Sequence, residues 1–230
     1  MAVMAKAPVP GRAKTRLVPP LDPMQAAGLA AAFIADSTAN ILTAGLSAYV
    51  AYTPAGDEGV LAGACAPGAV LLLADGSLGE ANGVAGLGRA LLHAVRGLLE
   101  RGHESVCLLS ADSPTIPTRF LVEAARLLAA PGERVVLGPA EDGGYWLIGL
   151  RSPYAQLFAD IPWSTAGVAE ATRERAREIG LDLVELPAWY DVDAADDLAR
   201  LRRELTAHDS IAYPAPATRA MLGRLEGVVI

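Results

Sequence analysis

The sequence predicts an α/β protein whose mainly parallel sheet is covered by helices on both faces. Three observations carry this. Short apolar runs of strand length alternate with longer segments of helical periodicity along most of the chain. Runs such as AVLLLA and SVCLLSA are continuously apolar, as strands buried on both faces are. Hydrophobic residues make up 52% of the 230, ample for one large core, so one domain is expected over residues 1–207 with a tail at 208–230.

The elements follow in order. AVMA, residues 2–5, is a strand ending at Lys6. After a basic loop and the turn-rich VPPLDP, residues 23–44 are helical, with Asp22 as N-cap, Pro23 at the first helical position and Gly45 as the stop. LSAYVAY (46–52) and AVLLLA (69–74) are strands, and 84–101 is a helix ending near Gly102. SVCLLSA (105–111) is a strand, and Pro117 opens a helix to about residue 130. RVVLG (134–138) and YWLIGL (145–150) are strands, 168–180 a helix closed by Gly180, 181–187 a strand and 194–206 a helix. From His208 the chain reads as irregular. It could pack on the body, pair with a second subunit to give a homodimer, or be partly disordered.

Composition excludes several function classes. A net charge of -7 argues against general nucleic-acid binding, which needs a broad basic surface. The most apolar stretch, LAAAFIADSTANILTAGL, is interrupted by Asp36, Ser37, Thr38 and Asn40, so no uninterrupted run approaches the roughly 20 residues that cross a bilayer. With no apolar signal segment, a cytoplasmic location and no membrane partner are expected. Cys65 and Cys107 suggest neither a zinc site nor a disulfide framework, and Cys107 reads as a small buried residue. His93, His103 and His208 show no partnering pattern and read as surface residues.

Sheets of this kind bind ligands at the carboxyl ends of their strands, and four polar stretches fall there. The first, within MAKAPVPGRAKTRL, crowds Lys6, Arg12, Lys14 and Arg16 around Gly11, just after Ala5. Arginine forks, lysine point charges and loop amides together suit a polyphosphate; the bland alternative is a solvated charge cluster. In CLLSADSPTIP, Asp112 stands at a strand end, where a carboxylate suits Mg²⁺ beside substrate phosphates, or where Asp112 or Ser113 simply closes a turn. In GPAEDGGYWLIGL, Gly138, Asp142, Gly143, Gly144, Tyr145 and Trp146 could shape a pocket, but Asp-Gly-Gly before a strand reads best as a hairpin turn. In WYDVDAADDL, Asp191 and Asp193 share a face if extended and could join Asp112 around a metal, or Asp193 caps the following helix. Between these, Ser164 and Thr165 in DIPWSTAGV look like an N-cap with Trp163 nearby, and LGEANGVAGLGRAL is a glycine-rich turn opening a helix.

Taken in order, MAKAPVPGRAKTRL, ADSPTIP, LGPAEDGGYWLIGL, PWST and DVDAADDL resemble a family of bacterial transferases of the GT-A fold, over roughly residues 2–205. That family is described as nucleotide-diphospho-sugar transferases or glycosyltransferases, with one branch linked to arsenosugar biosynthesis. More distantly the chain is similar to the 2-phospholactate and molybdenum-cofactor guanylyltransferases. The resemblance implies a Rossmann-like GT-A fold binding a nucleotide and Mg²⁺ or Mn²⁺. It implies phosphate-binding roles for Lys6, Arg12, Lys14 and Arg16, with Ala5 and Gly11 in the same nucleotide-binding stretch. It makes Asp112 a metal ligand, with Asp191 or Asp193 at the second acidic position. Asp142, Gly143, Gly144 and Tyr145, with Trp163, Ser164 and Thr165, would line the acceptor site. The ADGSLGEANGVAGLGRAL segment is longer than the family's corresponding turn, and DVDAADDL lacks a Thr-Pro between its acidic pairs.

Four cations on one loop suit a whole triphosphate and a departing pyrophosphate better than a diphosphate leaving group. The expected reaction is metal-assisted nucleotidyl transfer from a nucleoside triphosphate to a small phosphorylated acceptor, with Lys14, Arg16 and Asp112 at its centre. The alternatives are glycosyl transfer from a nucleotide sugar to a hydroxyl or phosphorylated acceptor, and nucleotide binding without catalysis.

Overall fold

The computed structural model describes residues 1–207 and 210–225. Seven strands form one sheet in the order β3-β2-β1-β4-β6-β5-β7: β1 (Ala2–Ala5), β2 (Tyr49–Tyr52), β3 (Val70–Leu73), β4 (Val106–Ser110), β5 (Arg134–Pro139), β6 (Tyr145–Leu150) and β7 (Asp182–Glu185). All pairings are parallel except those of β6, which runs antiparallel between β4 and β5. Residues 140–144 therefore form the hairpin turn that Asp-Gly-Gly announces, followed by a strand in the reverse direction.

Among the described residues there are seven α-helices: α1 (Pro23–Thr43), α2 (Glu58–Ala64), α3 (Leu87–Leu99), α4 (Thr118–Ala129), α5 (Val168–Glu178), α6 (Ala195–Thr206) and α7 (Pro216–Arg224). On one face of the sheet Leu91, Leu92, Val95 and Leu98 of α3 and Ala169 and Ala176 of α5 pack on Leu108, Leu137 and Ile148. On the other, Ile34 and Ile41 of α1, Leu61 of α2 and Phe120, Leu121 and Leu128 of α4 pack on Val3, Val50 and Leu109. A third cluster joins the outer side of α1 (Leu29, Phe33) to α6 (Leu198, Leu201), the loop residue Leu17, and Tyr213 and Leu222 of the tail. The described part of the tail thus packs on the body, and it carries a helix where the sequence reads as irregular. Helix α2 is likewise absent from the sequence expectation.

Helix α1 starts as its sequence dictates. Asp22 accepts from Gln25 N at 2.8 Å and Gln25 Oε1 accepts from Asp22 N at 2.8 Å, a reciprocal cap, with Pro23 in the first turn. By length and composition α1 is apolar enough to cross a membrane, and 61% of its most apolar window is buried inside the molecule. Its polar interruptions are buried as well, and they hold neighbouring segments. Asn40 donates to Ile116 O at 2.7 Å and accepts from Thr118 Oγ1 at 2.6 Å, fixing the β4–α4 loop. Asp36 accepts from Ala217 N and Thr218 N at 3.0 and 2.7 Å, closing the N-terminus of α7.

Two histidines depart from the surface reading. His93 is buried, its Nδ1 accepting from Gly76 N and Leu78 N at 3.2 and 3.3 Å. His103 is half-buried, edge-on to Tyr49 with its Nε2 2.9 Å from the phenol oxygen. His208 lies outside the described residues. Cys107 is buried, as expected, and desolvation pushes its thiol up to about 12.

Candidate functional site

Parallel order brings the loops after β1, β4, β5 and β7 to one end of the sheet. The β7–α6 loop is the stitch between them. It crosses β5 through Trp189 N to Pro139 O (3.1 Å) and Glu141 N to Trp189 O (3.0 Å), then reaches the β4 loop through Val192 N to Asp112 O (2.9 Å). Asp191 and Asp193, about eighty residues downstream of Asp112, thereby arrive beside it.

Lys14 enters from the other side. Its backbone is left-handed (φ 48°), at the start of a single 3₁₀ turn, Thr15–Leu17. That geometry is uncommon for a residue with a Cβ. The side chain is only 8% exposed, and its ammonium is 2.6 Å from Asp112 Oδ1, 3.0 Å from Asp193 Oδ1 and 2.6 Å from Val192 O. Arg16, 78% exposed, stands 3.9 Å from Asp193 Oδ2. Basic loop and aspartates do converge.

The other cations of the loop lie further out. Arg12 is an exposed residue paired with Asp57, at the end of the β2–α2 loop, at 2.9 Å. Lys6 is exposed at the end of β1, directly after half-buried Ala5. Gly11 turns the loop with φ 75° and nothing within 4 Å of where a Cβ would stand.

The aspartates divide their tasks differently from the sequence expectation. Ser113 Oγ donates a short hydrogen bond to Asp191 Oδ1. Burial raises Asp191 to about 7; the Ser113 bond opposes this, while the charges of Asp112, Asp142 and Asp193 add to it. Asp193 does not cap α6. Asp197 does so from the third helical position, accepting from Asp193 N and Ala194 N at 2.9 and 2.7 Å, which leaves the Asp193 carboxylate to Lys14. Among the described residues no three acidic, histidine or cysteine side chains gather around one point. The expected trio of Asp112, Asp191 and Asp193 resolves into a pair, Asp112 and Asp193, with Asp191 turned to Ser113.

That pair, with the Val192 carbonyl, makes an all-oxygen seat in which a cationic ammonium already rests. Oxygen donors of this kind fit Mg²⁺ or Mn²⁺, which take one or two protein carboxylates and complete their shell with water and phosphate.

The second wall comes from the hairpin turn. Asp142 is exposed and accepts from Gly144 N at 2.8 Å, closing its own turn. Gly143 (φ 91°) presses against the 164–167 turn, where an added Cβ would stand 2.1 Å from Ala166 O, and its carbonyl accepts from Ala169 N at 2.9 Å. Asp142, Gly143, Gly144, Ser164 and Thr165 are thus brought together. Ser164 and Thr165 are not the helix cap. Ser164 is left-handed (φ 64°), Thr165 Oγ1 donates to Pro162 O at 2.8 Å and accepts from Gly167 N at 3.2 Å, and α5 is capped at Gly167. Tyr145 and Trp163 meet edge to face with centroids 6.5 Å apart, and the Tyr145 hydroxyl is buried with no partner. Trp146, by contrast, is fully buried. Gly138 serves its ring, since a Cβ there would lie 2.3 Å from the indole; neither offers surface to a ligand. The glycine-rich β3–α3 loop borders a shallow, open polar hollow of about 440 Å³ lined by Glu80, Ala81, Asn82, Val84 and Arg89.

Sequence reasoning missed the supports. Thr115, two residues past Ser113, accepts from Trp189 Nε1 through its hydroxyl at 3.1 Å and from Tyr213 N through its carbonyl at 3.0 Å. Arg200 grips Glu141 with two bonds of 2.6 and 2.8 Å while stacking 3.8 Å over Tyr190, tying α6 to the hairpin turn. The Arg200–Glu141 spacing of 59 residues has no local signature.

No curated protein is similar enough to match the chain. Among solved structures, a Desulfovibrio desulfuricans G20 protein, named provisionally as a nucleotide-diphospho-sugar transferase, gives a TM-score of 0.80 at 26% identity, over 99% of this chain and 94% of that one. A CMP:2-keto-3-deoxy-manno-octonic acid synthetase complexed with CTP gives 0.56 at 14% identity, over 88% and 95%. A cytidylyltransferase from Leptospira borgpetersenii gives 0.55 at 13% identity, over 99% and 94%. The last two share the Rossmann-like fold. A family model matches residues 38–165, more than half of the chain, taking in Asp112 and the 142–165 wall, and by that match the chain belongs to the family DUF2064, described as an uncharacterized protein conserved in bacteria.

Proposed function

We propose that this transferase joins a nucleoside triphosphate to a small phosphate-bearing acceptor, such as a sugar phosphate, and releases pyrophosphate. An acceptor phosphate oxygen attacks the α-phosphorus, and the bond from that phosphorus to the oxygen bridging it to the β-phosphorus breaks. Pyrophosphate leaves with the electron pair. The supporting observation is the meeting of Lys14 and Arg16 with Asp112 and Asp193 at the carboxyl end of the sheet.

The chain's own groups have distinct tasks in this reading. Lys14 and Arg16 set positive charge against the phosphate oxygens, where charge develops as pyrophosphate departs. Arg12 is held to Asp57 by an exposed pair worth roughly 0–1 kcal/mol, so it exchanges readily onto a phosphate. Asp142, exposed in the hairpin turn, offers a hydrogen-bond acceptor to the second substrate, while the Tyr145 hydroxyl is buried. Asp112 and Asp193 would hold a divalent ion, which when bound neutralises phosphate charge and aligns the reacting groups. We also place the protein in the cytoplasm, a setting that suits a nucleotide substrate and two free thiols.

A second reading, transfer of a sugar from a nucleotide-sugar donor, is favoured by the name and 26% identity of the Desulfovibrio relative. Incubation with Mg²⁺, each nucleoside triphosphate and a panel of sugar phosphates separates the two. Pyrophosphate is the expected product; free nucleoside diphosphate from nucleotide sugars, with no pyrophosphate from any triphosphate, would establish the second. Asp112→Asn is expected to weaken Mg²⁺-dependent nucleotide binding by at least about tenfold, roughly 1.4 kcal/mol, by calorimetry. Unchanged affinity would remove Asp112 from the metal site.

A further inference from the structure

An ammonium group has three N–H donors and no more. In Lys14 there is one oxygen for each: Asp112 Oδ1 at 2.6 Å, Val192 O at 2.6 Å and Asp193 Oδ1 at 3.0 Å. The side chain is 8% exposed, so water has little part in this arrangement. Nothing remains on the Lys14 ammonium with which to bind a phosphate. To do so it must leave at least one of these oxygens. The two carboxylates it would abandon, Asp112 and Asp193, share that one ammonium as their counter-ion. A departing +1 charge therefore has to be replaced by another cation in the same seat.

We propose that Lys14 and the divalent metal exchange places. Lys14 is the resident counter-ion of Asp112 and Asp193 in the free protein. Metal binding at that pair and movement of Lys14 onto the nucleotide's phosphates are a single coupled event. This deepens the nucleotidyl-transfer reading and rests on it. The seat cannot hold both cations, because the oxygens that define it are the three that enclose the ammonium. The free protein therefore binds metal poorly, and the polyphosphate, by giving Lys14 a new partner, opens the site. Lys14 acts here as the residue that couples the two ligands, a role distinct from supplying charge to the phosphates. Arg16 provides the internal comparison. It too is a cation beside Asp193, but at 3.9 Å and 78% exposed it stands outside the seat.

The test measures Mn²⁺ binding by the electron paramagnetic resonance of free Mn²⁺, with no nucleotide present, in the wild type, Lys14→Met and Arg16→Met. Exchange predicts that Lys14→Met binds Mn²⁺ at least about tenfold more tightly than the wild type, roughly 1.4 kcal/mol. The gain should vanish when Asp112→Asn is added. Arg16→Met should change affinity by no more than about twofold, since an exposed charge is screened. Lys14→Gln, with circular dichroism on every variant, repeats the comparison should the Met side chain disturb the fold.

A Lys14 variant that binds no better than the wild type, or an equal gain in Arg16→Met, overturns the exchange. A separate arm uses inorganic tripolyphosphate and Mn²⁺ with the wild type, reading water-proton relaxation enhancement. Enhancement there, lost in Asp112→Asn, with no gain in Lys14→Met, would sink the exchange and leave the metal-nucleotide site standing. No enhancement with tripolyphosphate or any nucleoside triphosphate, and no Mn²⁺ binding in any variant, would overturn both.

Discussion

Gly143 shows how one atom can link fold and site. It bears φ 91°, a conformation that L side chains rarely adopt, and the turn before α5 leaves no room for a side chain. Gly143→Ala would force a Cβ to within 2.1 Å of Ala166 O, so either the hairpin turn or the 164–167 turn must move. The expected result is a loss of about 1–3 kcal/mol in stability, measured by urea unfolding, and a raised KM for the acceptor with little change in nucleotide affinity. Unaltered acceptor KM would mean that this wall does not contact the acceptor. At this scale the sequence was only half legible. Asp112, Lys14 and Asp193 are visible because charged residues at strand ends have few other uses. Which carboxylate serves the start of α6 was not, because Asp193 and Asp197 flank the same turn; Asp197 reaches back from the third helical position to accept from Asp193 N and Ala194 N.

Among the elements, α7 and its anchor form a unit that sequence patterning hides. Pro216 at the first turn is its one start signal, and Ala215, left-handed at φ 39°, is no conventional cap. The cap comes instead from Asp36, 181 and 182 residues away in sequence from the amides it accepts. A buried carboxylate on an apolar helix reads from sequence as an interruption; in the fold it is a long-range N-cap. Asp36→Ala would leave two amides without their acceptor and cost about 1–3 kcal/mol. Hydrogen–deuterium exchange should show the loss concentrated in 216–224, with the strands protected as before. Uniform loss of protection across the sheet would mean that α7 is an integral part of the core and not a docked element. Long helices with regular apolar spacing, such as α1 and α4, and the strands between them were legible because their pattern is local. Helix α2, seven residues long with two glycines, has too short a period to register.

Over the whole molecule the site carries an electrostatic cost that pH should reveal. The charges of Asp112, Asp142 and Asp193 all act on Asp191, in a fold whose net charge is already -7. Burial, followed by those neighbours, raises Asp191 from 3.8 to about 7. The folded protein thus holds this proton more tightly than the unfolded chain does. Its contribution to stability is complete below the unfolded value near 3.8 and is lost as pH climbs through about 7. Metal-free protein, kept so with EDTA, should therefore melt at lower temperature at pH 8 than at pH 5.5, and Asp191→Asn should flatten that slope, because a neutral amide keeps the Ser113 contact without the charge. A cation at Asp112 and Asp193 opposes the same repulsion, so Mg²⁺ with tripolyphosphate should raise the melting temperature more at pH 8 than at pH 5.5. Calorimetric scans at the two pH values, with and without the additions, check each sign. A wild-type slope that survives Asp191→Asn unchanged would place the titrating group elsewhere, and with it the cost of assembling these carboxylates.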